Sequence, residues 1–415
     1  MSWSELQLGE AIHVKHGFAF KGEFFAGEGS LMVVTPGNFL ELGGFRVRVG
    51  KERFYTSDFP ESYLLAKDDL IVAMTEQGEG LLGSAARIPE EDRCLHNQRI
   101  GLVTVTEEAR LDKRFLYWLF NSKPVRAQIR GSSTGTKVRH TAPERIYKVR
   151  VNIPDDVNEQ AKIAEILDRY NDLIETNQRR IELLDESARL LYREWFINFR
   201  FPGYETAHKI PSELGDIPHG WKVVSLDKVC SRVTDGAHKS PPTEEDGCSM
   251  ASVKDMRDFD IDVSKCRKIS EKNYDELVQA DCKVVKGDIL VAKDGSYLKH
   301  IFECGESEEV VLLSSIAMLR PNSEIVGCFL MYALKSPDVN FRMRQCVSGV
   351  AIPRIVLKDF RNFKILLPPL QIQQEWADIA GPMVRLCREL VRQNDALKAS
   401  RDLLLPQLMS GAIQV

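Results

Sequence analysis

A segment that recurs at a near-constant offset obliges a chain to fold the same unit twice, and this sequence holds four such recurrences in one order. Lys67-Asp68-Asp69-Leu70-Ile71-Val72-Ala73 returns 219 residues later as Lys286-Gly287-Asp288-Ile289-Leu290-Val291-Ala292. Phe115-Leu116-Tyr117-Trp118 returns at an offset of 214 as Phe329-Leu330-Met331-Tyr332, and the same offset carries Gly135 onto Gly349, Val151 onto Ile365 and Pro154 onto Pro368. Trp3 and Leu8 lie 218 residues before Trp221 and Leu226. The 415 residues therefore read as two copies of one unit, each close to half the chain.

Each copy opens with short apolar runs broken by Gly, Pro and Asp, the pattern of strands and turns, with one short helix near 114–121 and its counterpart near 328–334. Each copy ends in a long helix of a different period. In the first, Ile163, Leu167, Tyr170, Ile174, Asn177, Ile181, Leu184, Ala188, Leu191 and Trp195 step by four and three. In the second the same steps join Ile372, Trp376, Ile379, Met383, Leu386, Leu390, Gln393, Leu397, Ser400 and Leu404. Alternating steps of three and four make the seam of a coiled coil, and a polar seam residue (Asn177, Gln393) fixes register at a cost in stability. Two seams of equal length in one chain are expected to pair with each other. Pro154-Asp155-Asp156 and Pro368-Pro369 mark the helix starts. Pro382 should kink the second helix or begin it afresh. A helix over 158–196 would be roughly 57 Å long.

Charge narrows the function. The chain carries 56 Lys and Arg against 60 Asp and Glu, so it is not basic as a whole. Yet residues 121–150 hold a net +7 and the corresponding window 335–364 a net +5. Each window contains a small-residue loop, Gly131-Ser132-Ser133-Thr134-Gly135-Thr136-Lys137 and Ser348-Gly349-Val350-Ala351-Ile352-Pro353-Arg354. Backbone N–H groups and hydroxyls beside Lys and Arg suit phosphate oxygens and base edges. Two such modules predict a protein that grips duplex DNA at two points.

Signatures of chemistry are missing. Gly78-Glu79-Gly80-Leu81-Leu82-Gly83 has dinucleotide-loop spacing, but Pro89 follows too soon for the helix such a loop needs, so a Gly-rich hairpin is expected. No GxxxxGK[ST] phosphate loop and no Asn-Pro-Pro-aromatic methyltransferase tetrapeptide occurs. The acids at the first helix start, Asp155 and Glu159, suit the helix dipole. His13, His16, His96, His140 and His238 lack metal-ligand spacing, and the nine cysteines form no CxxC pair, which predicts reduced, buried thiols. There is no apolar run long enough for a membrane span and no signal-peptide pattern at the start.

Several segments resemble the specificity (S) subunits of type I restriction–modification enzymes. Gly215-Asp216-Ile217-Pro218-His219-Gly220-Trp221 is similar to the G-x-I-P-x-G-W that opens a target recognition domain in that family. Thr234-Asp235-Gly236-Ala237-His238 is similar to its TDGxH segment, and Gly17-Phe18-Ala19-Phe20-Lys21 to the alternative GxxF form. Leu367-Pro368-Pro369-Leu370 with Gln373-Gln374 resembles the start of its conserved helix, and Arg401–Gly411 its RxxLLPxLxSG ending. The first copy departs at Ile153-Pro154-Asp155-Asp156 with Glu159-Gln160 and keeps only Trp3 of the opening motif.

The resemblance implies an α+β chain of two pseudo-repeated target recognition domains, with mixed strands and short helices, separated by two long antiparallel coiled-coil helices. The expected boundaries are 1–154 and 221–369 for the domains, 155–196 and 370–411 for the helices, and 197–220 for a linker. It implies a non-catalytic cytoplasmic subunit that reads a bipartite DNA target, its helices setting the spacer. Two methyltransferase subunits and the restriction/translocase subunits would join it, and S-adenosylmethionine, ATP and Mg would reside on those partners, none on this chain. The DNA-contact candidates are Lys21, Gln98, Arg99, Thr134, Thr136, Lys137, Arg139 and His140 in the first domain. In the second they are His238, Lys239, Lys254, Lys293, Asp294, Ser348, Arg354 and Lys358. Rival readings are a structural coiled-coil adaptor with incidental basic patches, the recognition part of another type of methyltransferase–nuclease, and a lone transcription regulator.

Overall fold

The apolar run Leu70–Ala73 is buried along its whole length in the computed structural model, which describes residues 2–77, 80–294, 298–306, 309–345, 347–348 and 354–415. It lies within a four-stranded antiparallel sheet in the order Ile12–His16, Ile100–Val105, Leu70–Ala73, Ala85–Arg87. Leu70 and Val72 join a core cluster with Phe115, Leu116 and Phe120 of the helix Lys113–Asn121, whereas Ile71 and Ala73 join one with Val34, Phe39 and Cys94. Covered on both faces, the strand needs no polar side, which is why the sequence shows a continuous apolar run. The second copy repeats this sheet as Cys230–Asp235, Ile316–Pro321, Ile289–Ala292, Ile301–Glu303. A smaller sheet accompanies each. Its strand Met32–Val33, or Cys248–Ala251, has one parallel and one antiparallel neighbour.

Two repeated motifs are explained by the backbone. Asp68 and Gly287, in the recurring Lys-Asp/Gly-Asp turn, both have positive φ, 63° and 89°. Gly adopts that conformation freely and Asp more readily than most residues. Gly17 and Gly236 sit where a Cβ would overlap the carbonyl groups of Asn97 and Leu312, so the GxxF and TDGxH segments share a glycine for one reason, close backbone approach.

The chain divides into two compact units, Met1–Ile174 with Ala396–Val415, and Glu175–Asp395. The first long helix runs Val157–Tyr192 and closes in a π-helical turn, Arg193–Ile197; the second runs Leu370–Met409. Pro382 does not begin a new helix: a single helix runs through Gly381-Pro382. Within the first unit Ile163, Leu167 and Leu408 share the core, and Arg401 Nη1 donates to Asn171 Oδ1 at 2.6 Å. Within the second unit Ile181 clusters with Cys387 and Leu390, and Asn177 Nδ2 donates to Gln393 Oε1 and Asn394 Oδ1, both at 3.0 Å. In each unit the two helices run antiparallel.

The first helix buries or half-buries every expected seam residue. The second does so at Ile372, Trp376, Met383, Leu390, Leu397 and Leu404, but Ile379 and Leu386 are 46% and 37% exposed, Ser400 is exposed as well, and Gln393 is exposed while still meeting Asn177 across the seam. Ala380, Val384, Cys387 and Asn394 are buried instead, so part of this stripe falls one residue later than expected. Small or polar residues carry the true seam there, and counting large apolar residues selects their neighbours.

Each helix start is pinned to its own domain by a fully buried glutamine. Gln160 accepts the Asp112 N–H at 2.9 Å and donates to Pro154 O at 2.8 Å; Gln373 accepts the Val326 N–H at 3.0 Å and donates to Pro368 O at 2.8 Å. An ion pair ties the edge strand of each large sheet to its helix, with opposite polarity in the two copies. Arg87 meets Asp168 at 3.1 Å, and Glu303 meets Arg388 at 3.4 Å. Arg87 and Glu303 are equivalent by register, since they face Leu70 and Ile289.

Candidate nucleic-acid interface

In the first unit the smaller sheet and its loops enclose an open cleft of about 630 Å³. Five cations line it, Arg46, Arg48, Lys51, Arg53 and Arg99, with His140, Thr75, Gln77 and Asn38 among the polar groups and, among the described residues, Glu41 and Glu52 as the acids. Its walls are locally determined. Thr35 N–H donates to Asn38 Oδ1 at 2.8 Å in a capping box, and Asn38 Nδ2 donates to Arg46 O at 3.1 Å. Arg46 Nε returns a bond to Gly37 O at 3.0 Å, fixing the base of the cationic segment. The Arg99 N–H donates to Asn97 Oδ1 at 3.0 Å. Strand Arg139–His140 pairs with Thr75–Glu76, and His140 Nδ1 lies 3.1 Å from Thr75 Oγ1.

The loop after Thr75 is held from inside. Glu76, 2% exposed, accepts the N–H groups of Gly80, Leu81 and Leu82 through one carboxylate oxygen. Arg126 donates to the carbonyls of Leu82, Glu41 and Gly80. Gly78 and Glu79 of the Gly-rich motif lie outside the described residues, and the chain beyond them continues into strand Ala85–Arg87 rather than a helix.

Of the first-domain candidates, Arg99 and His140 line the cleft. Arg139 is half-buried, and Lys21, Gln98, Thr134, Thr136 and Lys137 are exposed outside its lining. Thr134 Oγ1 accepts from Arg145 at 3.2 Å. The +7 window is therefore no continuous patch. Arg126 and Arg145 hold carbonyl groups, and Arg150 pairs with Glu5 at 2.7 Å. The segment that sequence reasoning missed is 46–53. Its Arg46-Val47-Arg48-Val49 alternation was the available signal, masked in windowed net charge by Glu41 and Glu52.

In the second unit, His238, Lys239, Lys254 and Lys358 are exposed and Asp294 is half-buried. Lys293 is a correction. It is 7% exposed, its ammonium 2.6 Å from the equally buried Asp235, whose other oxygen is 3.2 Å from His238 Nε2. Instead of reaching toward DNA, Lys293 neutralises the Asp of the TDGxH segment. Ser348 and Arg354 pair through their backbones, but their side chains and residues 349–353 lie outside the described residues. Much of the +5 window is consumed internally. Lys335 is 3.6 Å from Asp185, with burial holding its ammonium below the usual lysine range. Arg342 pairs with Asp338, Lys364 with Glu213, and Arg361 donates to Val233 O.

Among the described residues no cluster of His, Cys, Asp and Glu is arranged to hold a metal ion, and no helix is long and apolar enough to cross a membrane. The eight described cysteines are unbridged, and burial pushes the Cys94 and Cys387 thiols up to about 11. What the first-unit cleft offers is a field of guanidinium donors matched to phosphates and guanine edges.

Residues 2–186 and 218–396 match the family model for the type I restriction modification DNA specificity domain. The type I restriction enzyme MjaIX specificity subunit of Methanocaldococcus jannaschii is 27% identical over 312 residues, covering 72% of this chain and 69% of that protein. The EcoBI specificity subunit of Escherichia coli is 24% identical over 390 residues, covering 90% and 77%. In fold, the chain is similar to the crystal structure of a type I restriction–modification S subunit from M. genitalium, with a TM-score of 0.61 at 16% identity over 98% of this chain and 96% of that one.

Proposed function

Because the chain belongs to the type I restriction modification DNA specificity family, as a specificity subunit with two recognition domains, we propose that it reads a bipartite DNA target and performs no chemistry itself. The Arg-lined cleft of the first unit carries this reading. Its guanidinium groups lie at a domain surface and suit phosphates and base edges, which supports this reading. Arg bidentate to guanine is worth ~1–3 kcal/mol of discrimination per base pair.

Two methyltransferase subunits and the restriction/translocase subunits are the proposed protein partners, carrying S-adenosylmethionine, ATP and Mg, and the proposed compartment is the cytoplasm. Support for helical docking comes from apolar side chains left exposed on the long helices. Leu183, Leu190 and Ile197 recur every seven residues, as do Ile379 and Leu386.

The test is selection of the full chain against a randomised duplex pool. Two short defined sequences separated by an undefined spacer should be enriched, and Arg99→Ala should relax preference within one of them. Incubated alone with S-adenosylmethionine and the selected duplex, the chain should transfer no methyl group. Absence of any enriched sequence, or methylation by the chain alone, refutes the proposal.

A further inference from the structure

The repeat permits a residue-by-residue comparison of the two recognition faces, and they differ in sign. Thr35–Asn38 and Ser252–Asp255 form the same capping box. After each comes an equivalent antiparallel bridge, Phe39 with Phe45 and Met256 with Ile261. Arg46 N–H then donates to Asn38 O, and Asp262 N–H to Asp255 O, both at 2.8 Å. Asp262 therefore occupies the place of Arg46.

The divergence extends along the segment. Residues 17–53 carry five cations and four acids; the equivalent 236–267 carry five cations and seven acids. In the first unit Arg46, Arg48, Lys51 and Arg53 are exposed, and none forms a salt bridge among the described residues. In the second unit two of the five cations, Arg257 and Lys265, are neutralised by carboxylates, and Arg267 is turned onto Ser240 and Pro241, leaving Lys239 and Lys254 exposed. Arg257 is 2.6 Å from both Asp260 and Asp395, and Lys265 is 2.8 Å from Asp262, while Glu244, Glu245 and Asp246 stand exposed nearby in sequence.

We propose that the two recognition domains divide the work of DNA binding. The first domain supplies most of the backbone neutralisation through 46–53, and the second contributes contacts with little counterion release. This rests on the DNA-binding function proposed above. A phosphate-neutralising cation steepens the dependence of log K on log salt by about 0.9, whereas a cation already paired to a carboxylate releases no counterion on binding. The first domain therefore governs capture of any duplex, irrespective of sequence.

The experiment measures affinity of the full chain for a random-sequence 40-base-pair duplex across a salt series. Arg46→Gln/Arg48→Gln/Arg53→Gln should flatten the slope by nearly three. Lys239→Gln/Lys254→Gln/Lys358→Gln, three exposed cations of the second unit, should flatten it by less than one. As a gain-of-function arm that does not depend on losing contacts, Glu244→Lys/Glu245→Lys/Asp246→Lys should steepen it. Equal flattening by the two triple variants, or a larger effect in the second unit, overturns the division of labour while leaving DNA binding intact. A wild-type chain that binds no duplex at any salt overturns the underlying function instead.

Discussion

His96 shows how a residue can be visible in a sequence while its role is not. It lies beside the candidate contacts Gln98 and Arg99, yet it is fully buried, with Nε2 2.8 Å from Ile100 O. Burial lowers its pKa from 6.5 to about 4. The folded state thus favours the neutral ring. Its stabilisation is complete above pH 6.5 and is lost as pH falls from 6.5 toward 4, by about 3 kcal/mol in total. Urea titrations between pH 7.5 and 4 should show that loss, and His96→Gln should remove this part of the pH dependence. Site residues were the least legible from sequence for the same reason: a charged side chain reads alike whether it faces water or the interior. Lys293, a DNA-contact candidate in sequence, holds Asp235 instead, and Arg126, one charge of the +7 window, holds three carbonyl groups. Arg46 and Arg48 looked ordinary and line the cleft.

Elements were far more legible, because their periods are enforced over many residues. The first helix seam matched the buried face from Ile163 to Trp195, where large residues mark it. In the second, Ala380, Cys387 and Asn394 hold the buried face, and size misled the count. The polar contact between the seams is testable. Asn177→Leu should cost about 1 kcal/mol by removing a donor from the buried Asn394 carbonyl. The double variant Asn177→Leu/Asn394→Leu should recover that loss or exceed wild-type stability, as apolar replacement of a buried polar pair often does. A denaturant double-mutant cycle measures the coupling, and additive losses would contradict it. Proline removes one helical hydrogen bond, yet no fresh start occurs at Pro382: it sits exposed, and the rest of the helix absorbs that single loss.

At the scale of the whole molecule, the duplication was the most legible feature, since equivalent strands occupy equivalent sheet positions. Both long helices pass from residues of one compact unit into residues of the other. If they set the spacer of a bipartite target, inserting one heptad into each at matched levels adds about 10.5 Å of helix. At 3.4 Å per base pair that equals about three base pairs. Selection of random duplexes by the lengthened chain should return the same two half-sequences with the wider gap. An unchanged gap would exclude the helices as the ruler.

The two ion pairs between head and stalk bear on which chimeras of the two copies would hold together. Grafting the globular part of the first copy onto the helix of the second removes both matches: by the Gln160–Gln373 correspondence the place of Asp168 falls to Gly381, so Arg87 loses its acid, and Arg388 loses Glu303. A recombinant that inherits a head together with its own stretch of stalk keeps the match. Viable crossovers should therefore cluster within or beyond the helices rather than at the neck between head and stalk.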